Sequence, residues 1–516
     1  MPTRKSSIRK AVATALGFLP IMGASGANAA SEDTAITIYS SEQAGAMSPD
    51  MYRPVPGSAV PNASSIPGYA MVRQERDVKL ASGRSTLKFA DVAALIDPTT
   101  VTFTSLSEPR TRVLEQNYQF DLVSTDKLLL KYIDRPIAVE RHVGDRMETI
   151  NGTLLSSTDG LLLRTNDGSI QSVRDYSSVR FPEVPGGLDT RPTLVWDVAS
   201  PIAGTQRSRV TYQTGGVTWW SDYNLIFNEG KDANSGVLDL SAWVSVINQS
   251  GTAYPNAHLK LIAGDVHRAP VPTAAMPMLA KRALSEAADM ATSAPGFKEQ
   301  SFFEFHLYTL QRATTLTNNS TKQIELFDQA RQIPAKKVLL YNGAPDYYVY
   351  PSPMTDRNFT SESNKKVDVY LEFKNDKQFG LGVPLPAGRI RVSKLDAADG
   401  SLEFIGEDRI DHTPKDETVR VKLGSAFDVV GERKQTDFTV DTKAKWLEEQ
   451  FEIRLRNHKD SSVKVVVKEN LFRWSNWKIL TKTHEFIKED SHTITFPVDV
   501  PKDGETFVRY RVRYTW

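Results

Sequence analysis

The 516-residue chain contains no cysteine, which excludes disulfide frameworks, thiolate metal sites and cysteine nucleophiles alike. Past its first 30 residues it has no long apolar run, whereas a membrane-spanning helix needs roughly 18 consecutive apolar residues. It has no charge excess either. With 63 basic against 62 acidic residues the formal net charge is +1, so the basic surplus that nucleic-acid binding calls for is missing. Short catalytic signatures are also lacking. Beyond the leader there is no Gly-x-Ser-x-Gly elbow, no His-Glu-x-x-His, no phosphate-cradling glycine loop and no dinucleotide fingerprint.

What is present begins with a leader. Arg4, Lys5, Arg9 and Lys10 form a basic head, Ala11 to Met22 an apolar stretch, and Ala27-Asn28-Ala29 a small-x-small cleavage pattern. Together they predict a signal peptide over residues 1–29 and an exported protein, periplasmic in the first instance, with the cell surface or secretion as alternatives. Cleavage removes four of the 63 basic residues and leaves a balance near −3. An exported chain without disulfides must be held by burial, and this length supports two to four domains of about 100–200 residues each.

The remainder divides by composition. Residues 30–68 carry Pro49, Pro54, Pro56, Pro61 and Pro67 and read as a proline- and serine-rich tether. Alternating segments such as Leu87-Lys88-Phe89 and Val101 to Leu106 predict strands across an N-terminal β region, 69–119. Residues 120–185 open with a short helix over Asp126 to Tyr132. Turns follow at Asp159-Gly160 and Asn166-Asp167-Gly168, which suggests a small barrel of SH3 or Sm-like type. Beyond the Pro182 to Pro192 joint, one pattern recurs around Asn248, Asn375 and Asn457: an alternating run, a polar turn, another apolar run. Asparagine suits such strand ends because it tolerates the left-handed conformation and bonds its own turn. The expected fold is therefore mainly β, with tandem antiparallel Ig-like sandwiches over 193–350 and 355–516 and a linker or helix inserted at 269–297.

Four groups of residues are candidates for chemistry. Asp265 with His267, and Glu304 with His306 and Tyr308, would share strand faces and offer a carboxylate–imidazole metal set, joined by His258 if registers agree. Aromatic clusters at Trp219, Trp220 and Tyr223, at Tyr347, Tyr348 and Tyr350, and at Trp474 with Trp477 would suit stacking on a glycan or protein. Asp396 to Gly400 has calcium-loop residues at the wrong spacing and reads as a hairpin turn. The C-terminal run puts Val508, Tyr510, Val512, Tyr514 and Trp516 on one face and three arginines on the other. An outer-membrane barrel strand has such a face, but the charged segments nearby favour a soluble sandwich.

The segments VTYQTGGVTWWSDYNLIFNE and AYPNAHLKLIAGDV resemble the bacterial domain-of-unknown-function family 4139, which includes proteins described as mucoidy inhibitors. Further stretches in the same order are FFEFHLYTLQRATTLTNNSTKQIEL, PAGRIRVSKLDAADGSLEFIGEDRIDHTP and the closing FVRYRVRYTW, so the likeness spans roughly Gln206 to Trp516. The resemblance implies an exported, β-rich protein and carries over no catalytic or binding residue. The functional expectation is a noncatalytic envelope protein that binds or scaffolds an envelope protein or glycan, with no cofactor. The alternatives are a hydrolase or metal-dependent enzyme around His267, Glu304 and His306, and an outer-membrane-associated assembly component.

Overall fold

The computed structural model describes residues 33–39, 49–52, 63–119, 124–144, 146–185, 191–264, 266, 296–344, 350–359, 363–396 and 398–516. The expected signal peptide, most of the tether, most of the 269–297 insertion, His267, Tyr347 and Tyr348 lie outside the described residues. The rest is mainly β, as the period-two alternation predicts, and no described helix is long and apolar enough to cross a membrane.

The described residues form four sheets. An eight-stranded sheet runs in the order Phe297–Phe302, Phe305–Leu310, Tyr254–Ala263, Asp33–Tyr39, Tyr69–Leu80, Gly204–Thr214, Ile96–Ser105, with Thr314–Leu316 also on Tyr254–Ala263. Within the stretch read as a tether, Asp33–Tyr39 is thus an interior strand. Its DTAITIY alternation buries Ile36 and Ile38 completely. Among the described residues the ladders are antiparallel with three exceptions, one being Asp33–Tyr39 alongside Tyr254–Ala263.

A three-stranded sheet of Gly83–Ala90, Thr193–Ser200 and Arg112–Gln119 lies close by, with Trp196 in the same core. A thirteen-stranded sheet faces both of these across one core and then continues into a second. Its continuity comes from a few long strands. Ser320–Asn342 places Ile324, Leu326 and Ile333 in the first core, then Leu339 and Tyr341 in the second. Thr418–Asp441 does the same with Val419 and Val421, then Val429, and Lys366–Lys374 bridges with Phe373 and Val367. Register shifts along these ladders bend the strands, which is how one strand serves two cores. Val463–Asn470 leaves the far end of Ser320–Asn342 and, with Thr493–Val500, covers the second core.

The five-stranded sheet forms a satellite core of its own. The helix Thr125–Lys131 is capped by the Ser124 hydroxyl, packs Leu129 inward, and is followed by the buried Tyr132. Both predicted hairpin turns are present, with Gly160 at φ 78° and Gly168 at φ 89°. The expected closed barrel is corrected. The order is Ser178–Arg180, Pro136–Val143, Arg146–Ser156, Leu161–Thr165, Ile170–Val173, and the two outer strands share no ladder, so the sheet is open.

Candidate functional site

The strand Tyr69–Leu80 alternates, and its core-facing stripe reads Ala70, Val72, Gln74, Arg76, Val78, Leu80. Two polar side chains therefore interrupt an apolar row. Gln74 is 4% exposed, and its Oε1 accepts no hydrogen bond from any described residue. Leaving such a carbonyl without a donor costs roughly 1–3 kcal/mol, so its presence in the stripe is informative. Arg76 lies over the Phe89 ring at 4.4 Å and donates from Nη1 to the Ala90 carbonyl at 2.8 Å, which fixes the guanidinium plane.

Gln74 and Arg76 open into a cleft of about 500 Å³ that is also lined by Asp91, Arg191, Thr252 and Asn318. Its parts come from separated elements. Asp91 leaves Gly83–Ala90 in the left-handed conformation at φ 63°, and Arg191 Nη1 meets its two carboxylate oxygens at 2.6 and 2.7 Å. The opposite wall is the loop after Ser235–Asn248, and the recurrent asparagine anchors it. Asn248 Nδ2 donates to the carbonyls of Thr252, Leu316 and Thr317, while its Oδ1 accepts from Ser250 N–H at 3.1 Å. Gly251 sits at φ 91°, where a Cβ would come within 2.4 Å of the Ala94 Cβ, so only glycine fits. The Gly251 N–H donates to Asn318 Oδ1 at 3.1 Å, and the Tyr254 hydroxyl lies 3.1 Å from Ser250 Oγ. Burial pushes the Tyr254 phenol up to about 12 and raises that of Tyr212 well above its ordinary value, with Arg76 pulling the latter back. The phenols behind the wall are neutral at physiological pH, and the lining side chains offer two guanidinium groups, one carboxylate and amide groups.

The residues singled out from sequence are placed differently. Trp219 and Trp220 do point to opposite faces, but both are buried. Trp219 is in the first core and donates to the Ile262 carbonyl at 3.3 Å. Trp220 packs with Ile66 and Ile247 and bonds Asp222 at 2.8 Å. Neither is a stacking platform for a ligand. Tyr350 is 40% exposed, its ring edge-on to Phe359 with centroids 5.8 Å apart. Glu304 and His306 do not converge. Glu304 is in the tight turn joining Phe297–Phe302 to Phe305–Leu310, and His306 Nδ1 instead meets Glu299 across the hairpin at 2.7 Å. Tyr308 points inward to the Pro384 carbonyl. Among the described residues no group of three His, Asp or Glu side chains is placed to hold a metal ion. Asp396 to Gly400 closes a hairpin, with Gly400 N–H on the Asp396 carbonyl at 2.9 Å.

A second polar constellation went unread in the sequence. Inside the second core, Arg433 pairs with Glu469 at 3.0 Å and Arg473 with Glu449 at 2.8 Å, and the Tyr510 and Tyr514 hydroxyls donate to the two glutamates. Arg473 also donates to the carbonyls of Met354, Asp356, Arg357 and Phe359, so it ties the segment after Tyr350 to the core. Every charge there has a protein partner, which makes it a structural network. The cleft residues were missed as well. The signal was available in YAMVRQERDVKL, where the apolar register puts Gln74 and Arg76 on the buried face.

A mainly β frame of several sheets, none of them closed into a barrel, with a polar cleft beside its first core defines the class of protein. Comparison with protein-family models, with curated proteins and with solved structures finds no match to the chain.

Proposed function

We propose that the protein is an exported, noncatalytic binding protein of the cell envelope and that the cleft at Gln74 and Arg76 is its ligand site. The observation that carries this is the polar interruption of a core-facing stripe. A buried amide carbonyl without a donor among the described residues lowers stability unless a ligand uses it. The leader over residues 1–29 supports export to the periplasm. The likeness of Gln206 to Trp516 to family 4139 supports membership in it, and the Asn-marked strand pattern supports an Ig-like reading of the two sandwiches. The frame itself suits scaffolding, because strands threaded through two cores hold surfaces at fixed separation. A glycan or another envelope protein is the partner class.

The test is native mass spectrometry of the full chain purified gently from the envelope fraction. The expected result is a product lacking its first 29 residues that retains a small molecule, and the Arg76→Met variant loses that molecule. Retention of the leader in the cytoplasm would overturn the export reading. A wild-type protein free of any Arg76-dependent ligand would overturn the site.

A further inference from the structure

On the reading that the cleft is a ligand site, its lining specifies what chemistry enters. Gln74 Oε1 is buried with no donor among the described residues, so it calls for an O–H or N–H from the ligand. Asp91 takes Arg191 Nη1 on its two oxygens, and a carboxylate has about four acceptor positions, so it can accept further bonds. Donors stand on the opposite wall. Asn318 Oδ1 is occupied by the Gly251 N–H, which leaves the Nδ2 donors to the cleft, and Thr252, held through its carbonyl by Asn248, adds a hydroxyl. The ionic side chains are already engaged. Asp91 and Arg191 neutralise each other, and Arg76 is taken up within the protein by the Phe89 ring, the Ala90 carbonyl and a further interaction. Pro192 and Pro255 supply apolar surface between the polar groups. The volume of about 500 Å³ is within the range of small-molecule sites and well above that of a lone ion.

We infer that the cleft binds a neutral saccharide. One hydroxyl donates to Gln74 Oε1, a second donates to the paired Asp91 carboxylate, and others accept from Asn318 Nδ2 and the Thr252 hydroxyl. The C–H faces of the ring lie on Pro192 and Pro255. A hydroxyl donates and accepts at one atom, which a wall of mixed acceptors and donors requires. An ammonium only donates, a carboxylate only accepts, and either would bring a charge to a site whose ionic groups are already paired or held.

Calorimetry on the full chain tests this with maltose, cellobiose and diacetylchitobiose as neutral probes, set against galacturonate, glucosamine and trialanine. A neutral disaccharide binds saturably and more tightly than each of the other three, with the same affinity at low and high salt. Gln74→Met lowers that affinity about tenfold by removing the buried acceptor, and Thr252→Val lowers it severalfold. Circular dichroism establishes that each variant is folded, and Gln74→Met melts no lower than wild type because the carbonyl it loses has no donor. Tighter binding of galacturonate or glucosamine, or an affinity that falls with salt, would overturn the neutral ligand. Tighter binding of trialanine would replace the saccharide with a peptide. Unchanged disaccharide affinity in folded Gln74→Met would move the ligand out of the cleft. If no neutral saccharide binds while a small molecule still co-purifies with wild type and is lost from Gln74→Met, the ligand class fails and the site stands; if neither occurs, both fail.

Discussion

Arg473 and Glu449 meet at 2.8 Å with both side chains 2% exposed, inside the second core and below the segment that carries Tyr350. A buried pair of this kind gains little over an apolar pair of equal shape, yet breaking it from one side strands a charge. Here the stakes are higher. Arg473 also satisfies four backbone carbonyls between Met354 and Phe359.

Arg473→Met is therefore expected to cost about 3–5 kcal/mol in urea unfolding at neutral pH. Burial already pushes the Glu449 carboxyl above its ordinary value of 4.5, and Arg473 and Arg433 pull it back down. Without Arg473 the carboxyl rises further, and the folded state then holds a proton that the unfolded chain releases. The protonated Glu449 carboxyl's contribution to the variant's stability is fully present below pH 4.5 and is lost as pH rises through the folded value. The defect shrinks on mild acidification, and the double variant with Glu449→Leu recovers much of the loss. A cost that is independent of pH would show that the stranded carboxylate is not its cause.

The recurrent asparagines make a second case. Asn457 is fully buried, and its Nδ2 donates to the carbonyls of Ser461, Val500 and Pro501 while its Oδ1 accepts from Lys459 N–H. Asn248 and Asn375 do the same work at their own strand ends. Asn457→Leu keeps the branched side-chain outline and removes every one of these bonds, at an expected cost of about 3 kcal/mol. Asn457→Asp places a carboxylate against the carbonyls and is expected to cost more. Chemical denaturation of the two variants ranks them; an Asp variant as stable as wild type would refute the bonding scheme.

Asp167 gives a pH prediction of the opposite sign. The Thr165 hydroxyl, then the Ser169 backbone N–H and hydroxyl, hold its carboxyl down at about 2 against an ordinary 3.8. A depressed carboxyl contributes stability above its unfolded value, and that contribution is lost as pH falls from 3.8 through 2. Carbon-detected NMR titration should place its midpoint near 2, and Asp167→Asn should flatten hydrogen-exchange protection of the hairpin over that window. A midpoint at the ordinary value would remove the turn from the list of acid-sensitive elements.

Phe303 occupies the tip of the hairpin between Phe297–Phe302 and Phe305–Leu310 at φ 57° and is 83% exposed. A bulky side chain in the left-handed region costs about 1–2 kcal/mol, and this one recovers little of it by burial. Phe303→Gly is expected to raise stability by about 1 kcal/mol after the glycine loses its own entropy on folding. Thermal melts decide it, and a lowered melting temperature would mean that the exposed ring contributes packing.

Period-two rhythm disclosed faces and little about partners. It gave the strands, the inward stripe Val508, Tyr510, Val512 and Tyr514, and the three asparagine positions, although none of those asparagines adopts the left-handed conformation expected of it. They are there for their amide bonds alone. Pairing of Asp33–Tyr39 with Tyr254–Ala263 was illegible, because the two are separated by over two hundred residues and only the folded core brings them together. Alternation also hides buried charge. Arg433 and Glu449 sit in segments dense with charged residues, GERKQTDFTVD and WLEEQFEIRLRN, where a solvated face is the ordinary reading. Trp219 and Trp220 failed as a surface because a segment carrying Ile66 covers the second ring, again a contact between distant parts of the chain.

Gln74 separates stability from function most directly. Val72, two residues before it on the same face, is fully buried, so a leucine there would extend the apolar stripe as far as Arg76. Gln74→Leu removes a carbonyl that lacks a donor and adds buried apolar surface, and both changes favour folding. The variant is expected to be about 1 kcal/mol more stable than wild type while losing the ligand that co-purifies in the cleft. A residue kept for packing would behave in the reverse way, destabilised by the change with any ligand affinity intact. Measuring melting temperature and retention of the co-purifying ligand on the same preparation sets the two accounts against each other, because they predict opposite signs for stability and only one of them predicts loss of the ligand.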